Sequence, residues 1–387
     1  MLKNSKKKGL ATRAIHAGQQ PDKSTGAIMT PIYATSTYIQ KSPGEHLGFE
    51  YSRTQNPTRS AYEKCVADLE SGEFGYAFAS GMAAADTILS LLKVGDEVLA
   101  IDDLYGGTRR LFEKVRKKKN GIKFNFINYK NFENINNFIN INTKMIWVET
   151  PTNPMLTLVD LKKLGEIKKG IIKVVDNTFA SPINQRPLEF GIDIVMHSAT
   201  KYLNGHSDMI GGVIITNNKE IAEEISFLQN SVGAIQGPFD AFLALRGLKT
   251  LPIRVKQHNY NGIKIAEFLE SSSFVDKVIY PGLESFEQNQ LAKLQMDGFG
   301  GIVSFYLKGN LQNTKRFLER CEIFSLAESL GGVESLIEHP AIMTHGSIHP
   351  QKRAELGILD NFVRISVGIE DIDDLVYDLS NAFKGME

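Results

Sequence analysis

The chain has 387 residues, of which 42% are hydrophobic and 23% are charged. This composition is ordinary for a globular protein, and the length predicts two or three structural units, because single cores stop growing at about 250–300 residues. Lysine plus arginine and aspartate plus glutamate number 44 each, so no global basic field for nucleic acid is present. No run of about 18 apolar residues occurs, so a membrane span is not expected.

The beginning of the chain is charged and lacks the apolar stretch of a secretory signal, so we expect a cytoplasmic location. Its only cysteines are Cys65 and Cys321, and both lie in helix-like contexts. We expect them to be buried as small apolar side chains. Neither a disulfide framework nor a zinc pattern is available, so no metal site is predicted.

Residues 1–50 show no strong periodicity and are punctuated by proline and glycine, which predicts an extended N-terminal arm. The arm contains apolar side chains such as Ile32 and Tyr33, so we expect it to pack on a second subunit. Strand-like and helix-like segments then alternate, which predicts an α/β fold with a mainly parallel sheet covered on both faces. The strand-like segments are 76–79, 97–101, 123–127, 145–149, 172–176, 192–197 and 212–216, and the helix-like segments are 57–69, 108–118, 158–169 and 220–230.

Lys201 follows one of the buried strands and is flanked by the hydroxyl residues Ser198 and Thr200. Ligands of parallel sheets bind beyond the carboxyl ends of the strands, where this lysine is expected. A desolvated lysine has a lowered pKa and can attack a carbonyl group as a nucleophile. The alternative, an ordinary solvated lysine, is the commoner outcome for a lysine considered alone.

Two segments can bind an anion. Ser80 and Gly81 connect a short strand to an alanine-rich helix, whose first N–H groups and dipole favour negative charge. Tyr51 and Arg53 precede another helix and offer a hydroxyl and a guanidinium fork to a phosphate or carboxylate. A simple helix cap and a surface salt bridge are the respective alternatives.

Asp176 ends a strand, where burial requires a cationic or hydrogen-bonding partner. Tyr105, before two glycines, can lie flat on a ligand ring. Their alternatives are a helix-capping aspartate and an ordinary half-buried tyrosine. A lysine for an aldehyde, an aspartate for a pyridinium, an anion cradle and an aromatic ring together match the needs of pyridoxal phosphate.

The chain resembles, over nearly its full length, the Cys/Met-metabolism pyridoxal-phosphate enzymes, and within them the cystathionine γ-lyases and γ-synthases. Seven motifs in order carry the resemblance: Tyr51-Ser52-Arg53-x-x-Asn56-Pro57-Thr58, Ser80-Gly81-Met82-Ala83, Asp103-x-Tyr105-Gly106-Gly107-Thr108, Glu149-x-Pro151-x-Asn153-Pro154, Val175-Asp176-Asn177-Thr178, His197-Ser198-Ala199-Thr200-Lys201-Tyr202 and Arg364-x-Ser366-Val367-Gly368. It implies the aspartate-aminotransferase-like fold (fold type I), with a cofactor-binding domain over 51–247 and a smaller C-terminal α/β domain over 248–387. In that smaller domain, helices are expected at 251–269, 311–320 and 372–383, and strands at 275–279, 301–307 and 362–367.

The resemblance also implies roles for single residues. Lys201 bonds to the cofactor and moves protons, and Asp176 pairs with the ring nitrogen. Tyr105 stacks on the ring and, as a second catalytic residue, helps to deprotonate the incoming amine. The remaining cofactor-binding residues are Ser80, Gly81, Met82, Asn153, Ser198 and Thr200, with Tyr51 and Arg53 reaching the phosphate of a neighbouring subunit. The dimer is then the smallest active unit and a homotetramer is expected. The implied substrate-binding residues are Glu50, Arg110, Glu328, Ser329 and Arg364.

The implied reaction is γ-elimination of L-cystathionine to L-cysteine, 2-oxobutanoate and ammonia, with Glu328 holding the distal amine. Enzymes resembling methionine γ-lyase carry an apolar residue in place of Glu328 and a cysteine in place of Gly107, which argues against that activity. The alternatives are a γ-synthase, which joins cysteine to an O-acylhomoserine, and, less favoured, a β-lyase. A catalytically silent cofactor-binding protein is opposed by the presence of Lys201, Asp176 and Arg364.

Overall fold

A computed structural model describes residues 8–344, 346 and 349–386. Its larger sheet has seven strands in the order β1-β7-β6-β5-β4-β2-β3. The four neighbouring pairs from β6 to β3 are parallel, whereas β7 runs antiparallel to both of its neighbours. The strands are β1 (Phe74–Phe78), β2 (Glu97–Ile101), β3 (Lys123–Ile127), β4 (Thr143–Glu149), β5 (Ile172–Asp176), β6 (Ile194–Ser198) and β7 (Gly212–Thr216).

Alternate side chains of this sheet enter different parts of the core, because successive residues of a strand point to opposite faces. In β2, Val98 and Ala100 belong to one buried cluster, and Leu99 and Ile101 belong to another. Both faces are therefore covered, as the sequence predicts.

The helices along the chain are α1 (Leu10–His16), α2 (Pro57–Leu69), α3 (Gly81–Leu89), α4 (Gly106–Arg110), α5 (Lys117–Asn120), α6 (Leu161–Gly165), α7 (Ser181–Asn184), α8 (Lys219–Val232), α9 (Pro238–Leu248), α10 (Leu251–Ser271), α11 (Asn289–Gln295), α12 (Leu311–Arg320), α13 (Pro350–Glu355) and α14 (Ile372–Phe383). A π-helical turn spans Leu111–Arg116, and 3₁₀ segments span Tyr129–Phe138 and Pro187–Phe190.

The C-terminal part contains a second sheet of five strands in the order β10-β11-β12-β9-β8. It is antiparallel except for the β10–β11 pair. Its strands are β8 (Val275–Ile279), β9 (Ile302–Leu307), β10 (Ser325–Leu326), β11 (Leu336–Glu338) and β12 (Phe362–Ser366). The expected smaller α/β unit is therefore present, while the domain boundaries at residues 50 and 247 stay predictions.

The predicted helix over 158–169 is wrong in its extent, because only Leu161–Gly165 is helical. Leu158 and Val159 are held in an extended segment by side chains distant in the sequence. The Leu158 N–H donates to Gln288 Oε1 over 2.8 Å, and the Val159 N–H donates to Thr150 Oγ1 over 3.0 Å. These tertiary hydrogen bonds override the local helix propensity.

The N-terminal arm is not extended throughout, because it contains α1. This helix packs on α2, with Ala14 fully buried and Arg13 Nε 2.6 Å from Asp68 Oδ1. Residues 1–7 lie outside the described part of the chain. Among the described residues, no helix is both long and apolar enough to cross a bilayer.

Candidate active site

One cavity of about 310 Å³ lies where the carboxyl ends of β4, β5 and β6 face residues of the C-terminal sheet. Glu149, Asp176 and Ser198 are the last residues of these three parallel strands. The cavity is where ligands of such sheets bind. Its wall consists of Ser80, Gly81, Met82, Tyr105, Thr108, Glu149, Asn153, Asp176, Thr178, Phe179, Met196, Ser198, Thr200, Lys201, Ile210, Glu328, Ser329, Leu330, Thr344 and Arg364.

The amino end of α3 forms one side of the cavity. Ser80 caps this helix, and its Oγ accepts a hydrogen bond of 3.0 Å from the Ala83 N–H. A β-carbon on Gly81 would lie 3.1 Å from the Cα of Ser198, so glycine allows the helix to start close to β6. The first N–H groups of a helix lack intrahelical acceptors and carry partial positive charge, so this end suits a phosphate.

Asp176 lies in the floor of the cavity and is almost completely buried. Its Oδ1 accepts hydrogen bonds from the Thr178 N–H over 3.1 Å and from Thr178 Oγ1 over 2.5 Å. Burial raises the pKa of Asp176, because desolvation disfavours the charged form, and the Thr178 donors oppose this shift. A cationic ring nitrogen would provide the positive counter-charge that this buried carboxylate needs.

Lys201 follows β6 and reaches across to the C-terminal unit. Its Nζ donates a hydrogen bond of 2.8 Å to Ser329 Oγ. Burial, followed by the positive charge of Arg364, lowers the pKa of Lys201 to about 8. The neutral, nucleophilic form of the amine is therefore more populated near neutral pH than in an ordinary lysine, and this is the form that attacks an aldehyde.

Arg364, on β12, is buried at the opposite wall. Its Nη1 donates to Asn153 Oδ1 over 2.8 Å and lies 3.0 Å from Glu338 Oε1. Its Nη2 donates to the Ser329 carbonyl over 2.8 Å, while its Nε–H has no partner among the described residues. Nε and Nη2 form the side of the guanidinium that binds a carboxylate in a bidentate manner, and on this side the buried Nε–H still lacks an acceptor.

A single carboxylate joins two loops of the cavity. Glu149 Oε2 accepts a hydrogen bond of 2.8 Å from the Tyr105 N–H, and Glu149 Oε1 accepts one of 2.9 Å from the Asn153 N–H. Burial and the neighbouring Asp176 raise the pKa of Glu149 well above its usual range. The Tyr105 ring is about 40% exposed, and it packs so closely on Gly107 that a β-carbon there would lie 2.4 Å from the ring.

Comparison with known proteins identifies the family. The sequence model described as Cys/Met metabolism PLP-dependent enzyme matches residues 11–384. The chain belongs to this family. The chain is a pyridoxal-phosphate enzyme of fold type I, which confirms the resemblance, the cofactor and the fold predicted from the sequence.

Relatives of this Cys/Met-metabolism chain carry two different names. A cystathionine beta-lyase of Coxiella burnetii is 60% identical over 98% of this chain and 99% of its own length. A cystathionine gamma-lyase of Dictyostelium discoideum is 51% identical over 96% of this chain and 97% of its own. The crystal structure of metB from Corynebacterium glutamicum superposes with a TM-score of 0.95 at 45% identity, covering 98% of this chain and 99% of that one. A cystathionine gamma-lyase from Lactobacillus plantarum, complexed with L-serine, gives the same TM-score and coverage at 43% identity.

The cavity suits the family's cofactor in three separate ways. The amino end of α3 suits the phosphate, the buried Asp176 suits a protonated pyridine nitrogen, and Lys201 suits the aldehyde. The described residues contain no group of three or more His, Cys, Asp or Glu side chains arranged to bind a metal ion.

The structure brings twelve of the predicted site residues to this cavity and leaves four outside its wall. Arg110 is exposed on α4, and Glu50 is 3.3 Å from His46. Arg53 lies over the Tyr51 ring at 5.7 Å, and its Nη1 donates to the Asn230 carbonyl over 2.6 Å. Tyr51 and Arg53 are expected to act on a neighbouring subunit, and that role stays a prediction.

Sequence reasoning did not assign site roles to Glu149, Thr178 or Glu338. Glu149 and Thr178 stand in two of the recognised motifs, at or just after strand ends, and that position makes them candidates without indicating a role. Glu338 lies opposite Arg364 in the antiparallel β11–β12 pair. Nothing in the sequence fixes this register, so the sequence offered no signal for Glu338.

Proposed function

We propose that the protein is a carbon–sulfur lyase that cleaves L-cystathionine by γ-elimination, consuming water and giving L-cysteine, 2-oxobutanoate and ammonia. The observation that carries the choice of L-cystathionine as substrate is the position of Glu328, whereas the γ direction of cleavage rests on the resemblance. Its carboxylate lines the same cavity as Lys201 and Arg364, and it forms no hydrogen bond or ion pair with the described residues. A substrate with an amine at its far end supplies the missing partner.

Bound pyridoxal phosphate supplies an electron sink that allows a proton to leave the amino acid next to its amine. Lys201 is the single amine or imidazole among the described residues of the cavity wall. With its lowered pKa, it removes the proton from Cα, and γ-elimination then requires a second proton to leave Cβ. Lys201 carries both protons in this proposal, and Ser329 Oγ orients its Nζ.

The proposal gives Arg364 the role of binding the substrate α-carboxylate. Three acceptors already hold the guanidinium in place, and its Nε–H has no partner among the described residues. In the proposal, the substrate carboxylate accepts hydrogen bonds from this Nε–H and from Nη2. Charge-assisted bidentate pairs of this type orient a carboxylate as well as binding it. Tyr105 covers the ring face, and Asn153, fixed by Arg364, faces the ring hydroxyl.

We also propose that the working unit contains at least two chains. Tyr51 and Arg53 are exposed and do not line the cavity of their own chain, which supports a role at the cofactor phosphate of a neighbouring subunit. Glu50 and Arg110 complete the proposed substrate site. A homotetramer is the proposed assembly, and the mass of the purified protein in solution tests it.

β-Cleavage is the second candidate, because a relative named cystathionine beta-lyase is 60% identical to this chain. Cystathionine has five bonds between its two α-carbons whichever half is bound next to Lys201. Glu328 can therefore hold the distal amine in either orientation, and it supports the substrate rather than the direction of cleavage. Proton removal from Cβ separates the two reactions, and it is needed only for γ-cleavage. A γ-synthase reaction shares the same first steps.

The deciding experiment gives the purified protein pyridoxal phosphate and L-cystathionine and measures all four products. Cysteine with 2-oxobutanoate supports γ-cleavage, whereas homocysteine with pyruvate makes the protein a β-lyase. A parallel reaction contains L-cysteine and an O-acylhomoserine. Cystathionine formed there, without cleavage in the first reaction, makes the protein a γ-synthase and contradicts the proposal.

A further inference from the structure

Arg254, on α10, is a buried arginine without a carboxylate partner. It is only 3% exposed, and no carboxylate of the described residues pairs with its guanidinium. Burial alone lowers the pKa of Arg254 to about 10. Burying a charge without a counter-ion is costly unless hydrogen bonds replace the lost water. The position of those hydrogen bonds therefore indicates what the charge does.

The guanidinium binds the backbone that follows the catalytic lysine. Its Nη1 donates to the Tyr202 carbonyl over 2.9 Å, and its Nη2 donates to the Leu203 carbonyl over 3.3 Å. Nη2 also donates to the Gly247 carbonyl in the last turn of α9 over 2.9 Å. That helix end is the negative end of its dipole, so it favours a cation. Nε donates to Thr250 Oγ1 over 3.1 Å, which fixes the fork on its own helix.

Two glycines leave room for this arrangement. A β-carbon on Gly205 would lie 2.0 Å from Arg254 Nη1, and one on Gly247 would lie 2.3 Å from the Asn204 carbonyl oxygen. Gly205 also has a φ of +72°, which glycine adopts without strain. The segment after Lys201 is thus packed tightly against α9 and α10 from the side away from the cavity.

We propose that Arg254 is a positioning residue for Lys201: it fixes the backbone of Tyr202 and Leu203, directly after the lysine, to α10 and so aims the lysine amine at the cofactor aldehyde and at Ser329. The anchoring is mechanical, because the fork contacts main-chain carbonyls and no cavity-wall side chain. Lysine cannot replace arginine here, because its single ammonium group cannot donate to all of the carbonyls that the two Nη atoms of the guanidinium reach. The inference rests on the family's cofactor and does not depend on which amino acid is cleaved.

The test compares Arg254→Lys and Arg254→Met with Lys256→Gln, an exposed position two residues further along α10. Apoprotein is titrated with pyridoxal phosphate, and the visible absorbance band gives the affinity. Borohydride reduction followed by peptide mass analysis gives the fraction of folded protein with cofactor bonded to Lys201. Urea unfolding gives the stability of each variant.

Arg254→Lys is expected to weaken cofactor affinity about tenfold, in line with the loss of one charge-assisted hydrogen bond, and to lower the fraction trapped on Lys201. Lys256→Gln should match the unaltered protein. If Arg254 contributes only to stability, Arg254→Lys will lower the urea midpoint of unfolding. The cofactor affinity and the fraction of folded protein trapped on Lys201 will then stay unchanged, and that result overturns the proposal. Arg254→Lys decides the question even if Arg254→Met does not fold.

Discussion

Glu149 and Asp176 are register partners at the carboxyl ends of the parallel strands β4 and β5. Both carboxyl groups are nearly inaccessible to water, and burial raises the pKa of each. Two adjacent buried carboxylates repel one another, so each needs its own compensation. Thr178 donates two hydrogen bonds to the Asp176 carboxylate. The Tyr105 and Asn153 N–H groups donate to the Glu149 carboxylate.

Replacing Glu149 with glutamine tests this division of roles. The side-chain amide keeps one acceptor oxygen but turns an NH₂ group towards one of the two backbone N–H donors. A buried donor left without an acceptor costs about 1–3 kcal/mol. We expect Glu149→Gln to lower the free energy of unfolding by about this amount in urea and to reduce kcat. A variant with unaltered stability and rate would show that Glu149 does not organise the two loops.

Replacing Lys201 with alanine removes the proposed nucleophile and proton carrier. Turnover of cystathionine should disappear, together with the visible absorbance of the cofactor bonded to the lysine. Circular dichroism serves as the control for folding, because alanine is shorter but compatible with the buried position. Full activity in Lys201→Ala would show that the mechanism proposed above is wrong.

The lowered pKa of Lys201 predicts how the cofactor-free protein responds to pH. The neutral amine is the form that attacks the aldehyde, so the rate of cofactor capture rises as the proton leaves. The rate should level off above about pH 8, because the pKa of Lys201 is lowered to about 8. An unperturbed lysine, with a pKa of about 10.4, would still be gaining rate above pH 9. Stopped-flow absorbance measures the profile, and a continued rise to about pH 10 contradicts the assignment.

Replacing Glu328 with glutamine tests recognition of the distal amine. The glutamine keeps the shape of the side chain but loses the charge, so a partly exposed ion pair worth up to about 1 kcal/mol is lost. We expect the KM for cystathionine to rise several-fold while kcat changes little, because Glu328 contacts no reacting atom in the proposal. Glu334→Gln serves as a control carboxylate outside the cavity wall. If the KM of Glu328→Gln is unchanged, Glu328 no longer supports the proposal that cystathionine is the substrate.

The sequence was most informative where periodicity and strand-end chemistry coincide. The expected helices at 311–320 and 372–383 match α12 and α14, because each carries an apolar stripe that packs on the C-terminal core. Lys201, Asp176 and Ser80 are predicted because residues of these types stand at or shortly after the ends of buried strands. The family motifs then supply Asn153 and Arg364, and the resemblance adds Ser329, which local pattern alone could not connect to them.

Features set by long-range contacts were not predictable from the sequence. The antiparallel direction of β7 depends on its pairing with β1, a strand far away in the chain. The short α6 reflects hydrogen bonds that the Leu158 and Val159 N–H groups, just before it, donate to the side chains of Gln288 and Thr150. The buried pair of Glu338 and Arg364 depends on the register of two antiparallel strands, and a shift of one residue would separate them.

The hydrogen bond between Lys201 and Ser329 joins two parts of the chain that can diverge separately. The groups that suit the cofactor all precede residue 217, whereas Glu328, Ser329 and Arg364 belong to the C-terminal part. Substitution of Glu328, which forms no hydrogen bond with the groups that suit the cofactor, can change the amino acid accepted while the cofactor stays bound.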